Sequence, residues 1–66
     1  MNRVREIREV MGFSQKELAE LASVSRPFLC DLEKNRRAAK PETLQRIADA
    51  LGVTVGDLIV NGQEAG

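Results

Sequence analysis

The chain has no histidine, no tyrosine and no tryptophan, and a single cysteine, Cys30. Those absences remove most catalytic and metal chemistry. Without an imidazole, proton transfer near neutral pH falls to carboxylates or Lys, and no paired arrangement of these is implied. One thiol cannot close an internal disulfide or build a multi-cysteine zinc site, so a disulfide-stapled secreted scaffold is excluded. No apolar run approaches the roughly 20 residues that cross a bilayer, and the opening Met1-Asn2-Arg3-Val4-Arg5-Glu6 lacks a signal-peptide core. The expectation is a cytoplasmic chain that is not an enzyme, with no catalytic residues, metal, cofactor or membrane partner.

What is present is a chain of 66 residues, 42% apolar and 30% charged, which reads as one small globular domain. At this size only about 60% of the unfolded surface can be buried, so a stability of a few kcal/mol is expected. Ten basic residues balance ten acidic ones, and zero net charge argues against a general nucleic-acid coat. The distribution is uneven. Residues 25–40 carry Arg26, Lys34, Arg36, Arg37 and Lys40 against Asp31 and Glu33, a net +3, whereas residues 41–66 carry a net −3. Any electrostatic attraction must come from this central patch.

Apolar spacing is helical throughout, with no alternating segment and no repeat. Val4, Ile7, Val10 and Met11 read as one face of a first helix, ended by Gly12 in a left-handed conformation. Ser14 and Glu17 form a capping-box pattern, with Phe13 and Leu18 as a hydrophobic staple, so a second helix starts at Gln15 and ends near Ala22. Ser25 caps a third, with Pro27 tolerated in its first turn, Leu29 and Leu32 inward, and a stop near Lys34 at a left-handed Asn35. Pro41 opens a fourth, whose stripe is Leu44, Ile47, Ala48 and Leu51, closed by Gly52. Thr54 and Asp57 repeat the cap before a short helix through about Val60. The expected fold is all-α, a five-helix bundle over residues 1–60, with residues 61–66 as a flexible tail.

Two short helices joined by about three residues cross at a steep angle, and small residues at the crossing let their backbones approach. Ala19 and Ala22 supply them, with Val24 plugging the corner and Leu18, Leu29 and Leu32 filling the inner faces. The run Arg8-x-x-x-Gly12-Phe13-Ser14-Gln15-x-x-Leu18-Ala19, then Val24-Ser25-Arg26, Leu29-x-x-Leu32-Glu33 and Leu44-x-x-Ile47-Ala48-x-Ala50-Leu51-Gly52-Val53, covers nearly the whole chain. In it the chain resembles the lambda/434-repressor-like helix-turn-helix family, also called the XRE family. One position departs: the family usually has glycine where Ser23 stands, because that residue often takes positive φ, and serine there costs on the order of 1 kcal/mol.

The resemblance implies a lambda-repressor-like bundle that regulates transcription by placing the helix of about residues 25–34 in the major groove of double-stranded DNA. Arg26 matches a base-contacting position and suits guanine O6 and N7, although a phosphate contact is the alternative. Pro27 falls at a reading position but offers only van der Waals contact and stiffness. Phe28 either packs on a thymine methyl or closes the edge of the core. Asp31 accepts from cytosine N4, or stays solvated or internally paired. Gln15, by the family's pattern, bonds backbone phosphate, with Lys16 beside it at a helix N-terminus. Asn35, Arg36, Arg37 and Lys40 follow as phosphate contacts, each with a solvated loop as its alternative. The family pattern also implies an ion pair between Arg8 and Glu33, while Cys30 reads as an inert packing residue.

A single recognition helix reads few base pairs, so the resemblance further implies a homodimer on a palindromic operator. Leu58, Ile59 and Val60 are the expected dimer contact, or else Leu58 and Ile59 cap the core. No small-molecule effector site is evident. The rival class is a protein-interaction module, antitoxin-like or scaffold, favoured by zero net charge, Phe28 and the apolar run at 58–60. The basic segment at 25–40 favours DNA, since an apolar docking module has no need of it.

Overall fold

The computed structural model of the chain describes residues 2–59, so the segment 61–66 and Val60 lie outside it. Among the described residues five helices follow one another: α1 (Val4–Met11), α2 (Gln15–Ala22), α3 (Arg26–Glu33), α4 (Pro41–Leu51) and α5 (Val55–Leu58). Their starts are chemical. Ser14 accepts from the Glu17 amide while the Glu17 carboxylate accepts from the Ser14 amide, and Thr54 and Asp57 repeat the arrangement at α5. Ser25 Oγ accepts from the Phe28 amide at 3.1 Å and so caps α3. Each device satisfies amides that the first turn leaves without a helical partner.

The helix ends share one geometry. After α1, α2, α3 and α4, a residue with positive φ turns the chain: Gly12, Ser23, Asn35 and Gly52. The next amide then reaches back five residues, Phe13 to Arg8, Val24 to Ala19, Arg36 to Asp31 and Val53 to Ala48, at 2.9–3.0 Å. This is the six-to-one closure of a Schellman end. Ser23 takes φ 59 and ψ 42, so serine adopts the glycine-like conformation.

Val4, Ile7, Leu18, Ala19, Ala22, Leu29, Leu32, Ile47, Ala48, Leu51 and Leu58 form the core. α2 lies at the centre, packed against α3 and most extensively against α4. Phe13, Val24 and Val53 sit half-buried at the edge of this core, as the staple and corner positions require.

Two sequence expectations are corrected. Val10 is 78% exposed and Met11 48% exposed, so neither belongs to the core. At about 100° per residue, Val4, Ile7 and Arg8 span one narrow arc of α1, and Val10 falls beyond its edge. Arg8, a charged residue, is buried at the edge of that arc opposite Ile7. The last helix also stops at Leu58 rather than near Val60. Ile59 is extended and pairs with Asn2 in an isolated antiparallel bridge, and the Arg3 amide donates to the Leu58 carbonyl at 2.8 Å. Pairing with the N-terminal segment replaces the next helical turn.

Candidate nucleic-acid interface

Three faces of α3 can be distinguished by their partners. Leu29, Leu32 and Glu33 point inward. Arg26 and Pro27 are exposed, while Phe28, Cys30 and Asp31 are half-buried. At about 100° per residue these five occupy the remaining arc, with Arg26 and Cys30 at one margin and Phe28 at the other. Each margin borders a cleft. Gln15, Arg26, Pro27 and Cys30 line one, on the α2 side. Val24, Ser25, Phe28, Arg37, Thr43 and Arg46 line the other, on the α4 side.

On the α2 side, the position of Gln15 is set by a buried network. Arg8 Nε donates to Glu33 Oε2 at 2.7 Å and Arg8 Nη2 to Glu33 Oε1 at 3.3 Å. Arg8 Nη1 donates to the Phe13 carbonyl at 2.8 Å. The Gln15 amide nitrogen donates to Glu33 Oε1 at 3.0 Å, leaving its second N–H unassigned among the described hydrogen bonds. The hydrogen bond that Arg8 donates to Glu33, aided by the charges of Glu33 and Glu9, raises the Arg8 guanidinium above its ordinary value despite the opposing effect of burial. Arg8 is therefore always charged, and it ties α1 to α3 and to the turn before α2.

On the α4 side, the Arg37 guanidinium carbon lies 5.3 Å from the centre of the Phe28 ring, a cation–π contact. Phe28 also packs against the core edge, one of the two surroundings expected for it. Asn35 Oδ1 accepts from Asn2 Nδ2 at 3.2 Å, and the same Asn2 amide donates to the Leu32 carbonyl at 2.8 Å. Asn35 thus anchors the N-terminal segment to the end of α3. Arg36, Arg37 and Lys40 are exposed, as is Lys16.

Charge pairing divides the molecule. Four ion pairs occur among the described residues, and every one involves Arg3, Arg5 or Arg8 of the N-terminal segment and α1. Among the same residues, Lys16, Arg26, Arg36, Arg37, Lys40 and Arg46 have no carboxylate within ion-pair distance. Of these, Arg26 lies on α3, and Arg37 and Arg46 line the cleft beside it, free to meet an external anion. Glu33, which reduced the charge of the central segment in sequence, is neutralised by Arg8.

Two assignments change in the folded chain. Leu58 is fully buried in its own core and presents no surface to a second copy. Ile59 is half-buried and Val60 lies outside the described residues. Cys30 is half-exposed on the cleft beside Arg26 instead of packed inside. Arg46 and Thr43 escaped the sequence reading altogether. They lie outside the apolar stripe of α4, and nothing local shows that α4 carries them to the flank of α3.

This geometry defines a small helical domain built around a helix-turn-helix. A helix-turn-helix family model matches residues 4–58, and the chain belongs to this XRE, lambda-repressor-like family of DNA-binding transcription regulators. It is 44% identical over 57 residues to the HTH-type transcriptional regulator DdrOP3 of Deinococcus deserti, covering 86% of this chain and 44% of that protein. It is 37% identical to the immunity repressor protein of Bacillus phage phi105, covering 86% of this chain and 40% of that one. The chain thus spans under half the length of these two curated relatives. Among solved structures it superposes on the restriction-modification controller protein C.AhdI of Aeromonas hydrophila with a TM-score of 0.83 and 30% identity, covering 86% of each chain. The clp gene regulator ClgR of Corynebacterium glutamicum gives a TM-score of 0.79 and 37% identity, covering 82% of this chain and 57% of that one.

Proposed function

We propose that this chain is a sequence-specific transcription regulator that inserts α3 into the major groove of duplex DNA, acting in the cytoplasm. The observation that carries this is the set of unpaired cations bordering the exposed face of α3, on a chain whose other arginines are internally neutralised. A helix of eight residues is about 12 Å long, comparable to the width of the major groove.

In this reading Arg26 donates to a guanine edge, and Pro27 shapes the first turn against the bases. Asp31, a turn further along, accepts from cytosine N4. Gln15 and Lys16 bond one phosphate strand beside the N-terminus of α2, while Asn35, Arg36, Arg37 and Lys40 follow the other. One α3 spans only a few base pairs, so the protein binds as a homodimer on two half-sites about 34 Å apart, related by a palindrome. Ile59, bridged to Asn2, supplies apolar surface to that contact.

Selection from a pool of random duplexes, run at two salt concentrations, tests the reading. A recovered palindromic motif, bound more tightly than random duplex and with a steep salt dependence, supports it. Recovery of no motif at either salt concentration rejects it.

A further inference from the structure

We propose that the cleft between α3 and α4 is a built phosphodiester-binding notch, in which Phe28 seats Arg37 and Arg46 of α4 closes the opposite wall. The proposal rests on the DNA reading above and adds to it a contact residue and a role for Phe28.

The cleft has a volume of about 290 Å³ and is lined by Val24, Ser25, Phe28, Arg37, Thr43 and Arg46. Two guanidinium groups and two hydroxyls line it, and no carboxylate is among its described lining residues. Neither arginine forms an ion pair among the described residues. Ser25 Oγ accepts from the Phe28 amide at 3.1 Å, so its hydroxyl proton is directed elsewhere and is available to an acceptor. This donor set matches an anion with several acceptor oxygens and carries nothing to attract a cation.

Phe28 gives the notch its order. A long arginine in a solvated loop ordinarily loses side-chain freedom when it binds a phosphate. Here Arg37 already rests over the Phe28 ring at 5.3 Å, and that ring is itself fixed against the core edge. Phe28 is a positioning residue: it orients Arg37 and leaves the guanidinium edge, with its N–H donors, for the ligand. Place in the fold selects the occupant. The notch borders the margin of α3 opposite Gln15, so α3 lies between two anion-binding flanks, as a helix does between the two backbones of a major groove.

The test is titration of the full chain with one duplex over a range of salt. The variants are Arg46→Ala, Arg37→Ala, Phe28→Leu and the double variant Phe28→Leu/Arg37→Ala, each first checked for native helicity. Arg46→Ala lowers the salt slope by about one, the share of a single phosphate. Phe28→Leu keeps an apolar side chain at the core edge and weakens binding about two- to fivefold, the scale of an exposed cation–π contact. In the double variant the loss equals that of Arg37→Ala alone, because Phe28 acts through Arg37. Should the unaltered chain bind while Arg46→Ala keeps its slope, or the Phe28 and Arg37 losses simply add, the notch is refuted and the DNA reading stands. Failure of the unaltered chain to bind any duplex removes both.

Discussion

Glu33 accepts from Arg8 at 2.7 Å with its side chain 2% exposed, while the Arg8 side chain is 10% exposed. The pair joins two helices that are separated by α2 in the chain. The partners are unequally supported. Without Glu33, Arg8 keeps the Phe13 carbonyl at 2.8 Å and Glu9 at 4.0 Å. Without Arg8, Glu33 keeps, among the described residues, only the neutral Gln15 amide. Arg8→Ala is therefore expected to be the more damaging change, at about 3–5 kcal/mol, enough to leave a domain this small largely unfolded. Glu33→Gln should cost less. Urea denaturation of both variants checks the order, and equal losses would contradict it.

Ser23 sits at φ 59, a conformation that costs an L-residue on the order of 1 kcal/mol. Ser23→Gly relieves that strain, offset by the greater freedom of glycine in the unfolded chain. We expect a net gain of about 0.5 kcal/mol, a rise in Tm of a few degrees. Asn35, the other non-glycine residue with positive φ among the described residues, tolerates this region better. A lower Tm for Ser23→Gly would show that the Ser23 side chain does more than complete the turn.

Glu17 and Asp57 lie below their ordinary values of 4.5 and 3.8, chiefly because each carboxylate accepts from the backbone amide of its capping partner, Ser14 or Thr54. A carboxylate whose pKa is lower folded than unfolded contributes stability above its unfolded value. That contribution disappears as pH falls through the folded value. Acid should therefore weaken the starts of α2 and α5, in the range below about pH 4.5. Glu17→Gln should make the stability curve shallower there. A curve identical to that of the unaltered chain would exclude Glu17 as a source of the acid sensitivity.

Arg26 and Arg36 should fail in different ways. Arg26→Ala is expected to weaken the preferred duplex by about 1–3 kcal/mol and to flatten base preference at one position. Arg36→Ala should weaken all duplexes alike and lower the salt slope by about one. Competition between selected and random duplexes separates the two. Equal loss on both for Arg26→Ala would assign that residue to phosphate.

The helix boundaries were legible because their causes are local. Ser14 with Glu17, Ser25 with the Phe28 amide, and Thr54 with Asp57 act across three positions, and a left-handed Gly12, Asn35 or Gly52 acts within its own turn. The apolar spacing also announced most of the core. It misplaced Val10, because a three-residue spacing runs off a narrow helical face after one turn, and α1 is too short to average out the error.

The sequence by itself determined five helices, four turns and a basic stretch around the third helix, all of which depend on neighbours in the chain. Tertiary structure decided the contacts between residues far apart in the chain. Arg8 reaches Glu33 across 25 positions, Asn2 reaches Leu32 across 30, and Arg46 meets the flank of α3 only because α4 packs on α2. Such encounters depend on how helices pack in space, and no periodicity within a single helix encodes them.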